Sequence, residues 1–255
     1  WPVIGWASDL NSYTFEQAEE YWNVYYRPGN LFGVLVGDFD PAVAKDLIRR
    51  YFSRLEPGKR EPPPVVTLEV GQLAEQRMIA VGDFPPAVEI RYHTVPAGHA
   101  DAYPLDLLAE LLNERTGRLY GGLVEGRGIA AAAQAGSDTR RFAGLFSVSA
   151  EARGDATPED LERAWEEELA KLQDAEVSER ELRKVKNRLA AGNYRRLQSN
   201  MSLFIQLAFS EALLDWREIN EGPVKEEAVT AADIRRVARK YFDPANRSVA
   251  IFRRK

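Results

Sequence analysis

The chain carries one helix–turn–strand pattern twice, and that repeat limits its fold more than any other feature. The first copy contains Tyr25 to Pro41, YYRPGNLFGVLVGDFDP. Pro28 cannot continue a helix and restricts the residue before it. Gly29 and Asn30 tolerate turn conformations, and Leu31 to Val36 read as a short apolar strand. The second copy closes the chain. Thr230-Ala-Ala-Asp opens its helix as Thr14-Phe-Glu-Gln opens the first. Tyr241-Phe242 answers Tyr25-Tyr26, Pro244 answers Pro28, and Asn246 answers Asn30. Ala250-Ile251-Phe252 answers Val34-Leu35-Val36, and every pair is 216 residues apart without a gap. A constant offset marks an internal duplication. The competing reading is convergence of two ordinary corners, since Thr caps and Pro-x-Asn turns are frequent.

The repeat sets the expected domain plan. The second copy ends a long unit running from about Val65 to Lys255, whereas the first ends by about Leu55. A first unit of equal size would start roughly 150 residues before Trp1. Residues 1–55 therefore read as the C-terminal end of a truncated first domain. Residues 56–64, EPGKREPPP, read as a linker, and 65–255 as a complete second domain. Phe15, Tyr21, Trp22, Tyr25 and Tyr26 predict a helix with a buried face. In a truncated domain that face and the strand edge lack cover, which favours association. Residues 1–55 are thus expected to pack on a partner chain, a retained N-terminal fragment or a second copy.

The elements follow from local signals. Residues 1–12 read as an irregular lead-in. Ser12 or Thr14 caps a helix to about Tyr26, and Pro41 starts another through Phe52. Strands are predicted at Arg77–Val81 and Ala87–Val95, where Val88, Ile90, Tyr92 and Thr94 alternate with Glu89, Arg91 and His93. Helices follow at about Ala102–Glu114 and Arg118–Glu125. Ile129–Ala135 and Phe142–Ala152 read as a strand pair turning at Gly136-Ser137-Asp138. Thr157-Pro158 and the capping box Ser178-Glu179-Arg180-Glu181 start two long helices. The expected class is α+β, an antiparallel sheet with helices on one side.

Chemistry is sparse. The net charge of −5 argues against a nucleic-acid surface. With no Cys, thiolate metal sites and disulfides are excluded. No apolar run reaches the length of a membrane span. A metal site needs clustered ligands, and the two His, His93 on a strand and His99 in a loop, do not form the helical two-His pattern. No Gly-x-Ser-x-Gly elbow is present. The glycine-rich run TGRLYGGLVEGRG, residues 116–128, lacks the Lys and Ser/Thr of a phosphate loop. Leu119, Leu123 and Val124 fit a helix packed on a sheet, while Arg118, Tyr120 and Arg127 are free to face a substrate. No catalytic or metal residue is assigned, and the substrate-binding residues stay open.

Taken in order, PVIGWASDL, YYRPGN, VLVGDFDP, TGRLYGGLVEGRGIA and VTAADIRRVARKYFDPANRSV give the chain a family likeness. It resembles the pitrilysin/insulinase family of zinc metallopeptidases, which includes the mitochondrial processing peptidases. The resemblance implies tandem α+β domains of one fold, which suits the duplication. It also implies a zinc site built on His-x-x-Glu-His, with residues that would lie upstream of Trp1. None of these ligands falls on this chain, so no cofactor is expected in it. Some family domains carry an Arg and a Tyr that contact substrate, in a pattern like Leu-Arg-Glu-x-x-Gly-x-Ala-Tyr. Leu123, Glu125, Gly128 and Ala130 match that pattern, but Val124 and Ala131 stand at the Arg and Tyr positions. The implied role is a non-catalytic C-terminal segment that supports the catalytic domain and walls a peptide chamber. Its implied partners are the N-terminal catalytic portion or a partner subunit, with a peptide as substrate. A zinc-free scaffold subunit and an unrelated α+β binding module remain as alternatives, and cytoplasm and periplasm stay equally open.

Overall fold

A computed structural model describes residues 4–56, 60–66, 70–113 and 115–255. The chain divides into two compact units, Trp1–Leu68 and Glu69–Lys255. The expected linker, residues 56–64, falls partly outside the described residues.

The first unit is helical. It holds α1 (Ala7–Ser12), α2 (Phe15–Tyr25), a 3-10 turn at Pro28–Asn30 and α3 (Pro41–Phe52). Thr14 caps α2: Gln17 N–H donates to its Oγ1 at 3.3 Å, and Thr14 N–H donates to Gln17 Oε1 at 2.9 Å. Asp40 Oδ1 caps α3 by accepting from the Ala42 and Val43 amides, with Pro41 at the first position, where a missing N–H costs nothing. Three expectations are corrected. Residues 7–12 form a helix, not an irregular lead-in. Leu31–Val36 is not a strand: a strand needs a pairing neighbour, and the described residues of this unit hold none. The aromatic face of α2 is not buried either. Phe15, Tyr21, Trp22 and Tyr26 are exposed, and Val24 alone on this helix is buried.

The second unit is an α+β domain. Its five strands are β1 (Gln76–Gly82), β2 (Ala87–Thr94), β3 (Ala130–Thr139), β4 (Gly144–Ala152) and β5 (Arg247–Arg254). They form one open sheet in the order β1-β5-β2-β4-β3. The sheet is antiparallel except at one edge, where β1 runs parallel to β5. The expected class, α+β with an antiparallel sheet and helices on one side, is what the chain forms, and the one parallel pair arises because β5 inserts between β1 and β2. The β3–β4 turn lies at 140–143, since Gly136, Ser137 and Asp138 continue β3 in register with Ser147, Phe146 and Leu145.

Helices cover one face. They are α4 (Ala102–Leu112), α5 (Pro158–Asp174), α6 (Glu179–Arg196), α7 (Asn200–Leu213), α8 (Glu218–Ala228) and α9 (Ala231–Tyr241). A π-helical turn spans Tyr120–Gly126. Alternation along the strands sends Val88, Ile90, Tyr92, Phe146, Val148, Ala150, Val249 and Ile251 to the covered face. α4 lies deepest: Leu105, Leu107, Leu108 and Leu112 are all fully buried. A helix that is apolar over most of its surface must be largely enclosed, and the sheet, α6, α8 and α9 pack around α4, leaving Asp106 and Glu110 half-buried.

Phe242 is the hub of this core. Its ring meets Tyr92 at 4.7 Å, Phe146 at 4.8 Å and Trp165 at 6.2 Å, all edge-on. Such geometry places positive ring edges on negative ring faces. Trp165 Nε1 donates to Tyr92 Oη at 3.0 Å, so the polar tips of both buried rings are satisfied.

The two corners have the same geometry. Each helix is 11 residues long, starts on a Thr capping box and ends in a 3-10 turn on Pro-x-Asn. Asn30 Nδ2 donates to Tyr25 O at 2.9 Å, and Asn246 Nδ2 donates to Tyr241 O at 2.7 Å. The repeated Asn thus satisfies a carbonyl that a helix end leaves unpaired. Asn246 also donates to His93 O at 2.9 Å, tying its corner to β2.

Candidate functional site

With the helices on one side, the other face of the sheet is left open. Strand pairing fixes what it presents. Across β3, β4, β2, β5 and β1, one row reads Gly136, Ser147, Arg91, Ser248 and Gln76. The next reads Gln134, Ser149, Glu89, Ala250 and Met78. Small and polar residues dominate the centre, so the face has little apolar area with which to form a second core. Arg91 Nε donates to Glu89 Oε1 at 2.8 Å in the middle of this face, and both side chains reach solvent. An exposed pair of this kind adds little stability. Its charges stay available to a ligand.

A groove of about 650 Å³ runs beside Arg91, lined by Val70–Gln76, His93, Leu145 and Ser248. Gln72 fixes its wall, donating to Arg247 O at 2.6 Å and to Ala74 O at 2.9 Å. Behind that wall sits an ion-pair network. Arg247 pairs with Glu75 at 2.5 Å and Glu166 at 2.8 Å, and Arg77 grips Glu162 with two bonds of 2.9 and 2.6 Å. Burial works against the Arg247 charge, but Glu166 and Glu75 outweigh it and hold the guanidinium above its ordinary range. For Arg77 the Glu162 bonds lead, with the same result.

The residues singled out in the glycine-rich run fall elsewhere. Arg118 donates to Glu181 at 3.0 and 3.2 Å and to Glu168 at 3.4 Å, bracing α5 against α6. Arg127 pairs with Glu167 on α5. Tyr120 lies under the Arg115 guanidinium, 5.9 Å from its ring centre. Leu119 and Leu123 enter the core, Val124 packs against it, Ala130 is buried and Ala131 is exposed. The run therefore braces the domain through Arg118, whose ion pairs are largely buried, while Arg127 pairs with Glu167 at the surface. Gly117 is required there, because a Cβ would fall 1.8 Å from Asn113 O.

The described residues offer no cluster that fits a metal. His93 lies on the open face, and His99 Nδ1 accepts from the Asp101 amide at 2.9 Å. Among the described residues no group of three or more His, Asp or Glu is placed to hold an ion. No helix among them is long and apolar enough to cross a membrane.

The face that sequence reasoning missed has a visible signal in retrospect. Glu89, Arg91 and His93 on β2 and Ser147 and Ser149 on β4 alternate with core residues, but only the pairing puts them side by side.

The chain thus presents an open five-stranded sheet with helices on one face and, among the described residues, no group placed to hold a metal. Residues 12–189 match the model of the peptidase M16 inactive domain, and the chain belongs to that family. This is the relationship implied by the sequence motifs. A Helicobacter pylori protein named zinc protease PqqE is 23% identical over 246 residues, covering 95% of this chain and 55% of its own. The chain therefore spans about half the length of that curated relative. A crystal structure of a protease from Helicobacter pylori superposes with a TM-score of 0.91 at 21% identity, covering 99% of this chain and 62% of that one. The peptidase M16 inactive domain from Pseudomonas fluorescens gives 0.81 at 16%, covering 98% and 59%. These two structures share its fold.

Proposed function

We propose that this chain is the non-catalytic portion of a zinc-peptidase-like protein and that its open sheet face walls a peptide-binding chamber. The observation that carries the reading is the sheet itself. One face is closed by helices, and the other is polar, open and edged by a groove of about 650 Å³. In this reading an extended peptide passes over Arg91, Glu89 and the serines, which offer hydrogen bonds without a fixed apolar pocket. The attacking water and its metal belong to another polypeptide segment carrying His-x-x-Glu-His.

The domain plan belongs to the same proposal. Residues 1–55 are the end of a first peptidase-like domain, 56–64 the linker and 65–255 the second domain. The repeat says what the first unit needs. Phe32, Gly33, Val34, Leu35 and Val36 stand where Ser248, Val249, Ala250, Ile251 and Phe252 stand in β5. β5 has a parallel neighbour on one side and an antiparallel one on the other. The segment 31–36 would therefore take up one strand of each sense from the missing part of its domain. The catalytic portion or a partner subunit is the fitting source. A scaffold subunit that never had zinc is the second reading, and it shares the same open face.

Two measurements test the proposal. A chelator-washed sample is expected to hold well under one zinc per chain and to leave peptides intact. Adding the polypeptide that supplies His-x-x-Glu-His should restore cleavage. A tightly held zinc in every chain, or cleavage by the pure chain, overturns the reading; a complex without cleavage favours the scaffold. Light scattering and limited proteolysis of the chain alone form the second test. Self-association, with protease cutting residues 4–56 before the second unit, is expected from the uncovered aromatics. A monomer whose two units resist protease equally would contradict the domain plan.

A further inference from the structure

Away from the open face, a cavity of about 620 Å³ lies between α4, α6, α7, α8 and the loop at Ala97–Gly98. Three carboxylates line it, Asp106, Glu218 and Glu226, and Glu110 stands close enough to Asp106 and Glu226 for its charge to act on both. Glu110 has a cation, Arg188, at 2.6 Å, and Glu218 has Lys225 at 2.7 Å with the Tyr103 hydroxyl donating at 2.7 Å. Asp106 on α4 and Glu226 on α8 have no cation within ion-pair distance among the described residues. Glu226 accepts only from Asn193 Nδ2, at 3.1 Å, with Arg196 nearby. Ser137 lies close enough to Asp106 to favour its ionised form slightly, though not in good hydrogen-bond geometry. Tyr194 on α6 also lines the space, and α7 contributes no titratable side chain to it. Its Gln206 and Ser210 face in, while its Glu211 turns back to accept the Trp216 amide at 3.1 Å.

The helices over this cavity are weakly anchored. No residue of α7 is buried, although its sequence NMSLFIQLAFSEAL is mostly apolar. α8 buries only Gly222 and carries Pro223 inside it, which removes a helix hydrogen bond. Just past the end of α7, Leu214 covers Gly98 so closely that a Cβ there would meet it at 2.7 Å. A helix pair held this lightly is where local opening is expected.

We propose that the Asp106–Glu226 cavity is a proton-operated latch: with both carboxyls protonated α8 seats on α4, and their ionisation loosens α7 and α8. Two half-buried carboxylates that line one space, with Arg196 beside Glu226 alone and no cation paired with either, are costly when both are ionised. Burial, the Glu226 charge and the Glu110 charge push Asp106 up to about 6, and burial leads in raising Glu226 as well. An acid raised on folding makes the seated state bind more protons than the open one. Seating is therefore strongest at low pH and is lost as pH rises through about 6.

Hydrogen exchange by mass spectrometry on the intact chain tests this, with protection corrected for the intrinsic pH dependence of exchange. Protection of α7 and α8 is expected to fall by about tenfold or more between pH 5 and pH 8, while β2 and β4 stay unchanged. Asp106→Asn should flatten that profile at its protected end. Glu226→Gln should halve the slope, and it carries the test if circular dichroism shows Asp106→Asn unfolded. Protection that is independent of pH in the native chain overturns the latch, as does a native slope retained in whichever variant folds.

Discussion

Phe242→Ala is expected to lower the unfolding free energy of the second unit by about 3–5 kcal/mol, the usual cost of emptying a buried aromatic site. Tyr26→Ala, at the repeat-equivalent position, should change stability by less than about 0.5 kcal/mol, as surface substitutions do. The two residues end the same 11-residue helix and precede the same Pro-x-Asn turn. Apart from the tyrosine hydroxyl, they differ in their surroundings. Phe242 is 2% exposed between three aromatic rings, whereas Tyr26 is 53% exposed and meets only rings of its own helix, Trp22 at 4.6 Å and Tyr21 at 6.2 Å. Urea unfolding followed by circular dichroism measures both. Equal costs would mean that the first corner is packed as the second is, and the proposal of a missing neighbour would fail. With the catalytic portion bound, the expectation for Tyr26→Ala reverses: its cost should then approach that of Phe242→Ala.

This contrast also separates what was legible in the sequence from what was not. The caps were legible because they are local: Thr14, Thr157, Ser178 and Thr230 each accept from the amide three residues on. Pro41 and Phe52 bound α3 as read, for the same reason. Leu31–Val36 carries the strand composition of β5 but lacks β5's two neighbours, and pairing is not a property of the segment. The parallel edge escaped notice because β1 and β5 lie at opposite ends of the second unit. Gly136 was misread as a turn because a glycine in a strand and a glycine in a turn look alike until its partner, Ser147, is known. Arg118 and Arg127 looked available because Glu181, Glu168 and Glu167 are at least 40 residues away in sequence. The open face follows the same logic: alternation on β2 was visible, but its meaning depended on which side the helices took.

Asp101→Asn is expected to cost the second unit about 2–3 kcal/mol, somewhat below the usual loss for one partner of a buried pair because two of its partners are half exposed. Asp101 begins α4 and is 4% exposed. Burial alone would raise its pKa. Lys240 at 2.8 Å, the Tyr241 hydroxyl at 2.5 Å and Arg236 at 2.6 Å overcome that and hold it well below the usual carboxylate range. All three come from α9, so one carboxylate staples the final helix, and with it the Phe242 hub, to the start of α4. Asparagine keeps the shape and can still accept from Tyr241, but it leaves two cations without their counter-charge. The pH dependence has a definite sign. A carboxylate depressed on folding contributes stability that is present above its unfolded value, about 3.9, and lost as pH falls further. The native chain should therefore lose this contribution below about pH 4, and Asp101→Asn should flatten that part of the curve. Asp106, five residues on, has the opposite slope, because no cation offsets its burial. The Asp101→Asn difference should thus be constant between pH 5 and 8, where Asp106→Asn varies. If the Asp101→Asn cost instead changed across pH 5 to 8, or vanished, the three bonds from α9 would not be what holds this carboxylate ionised.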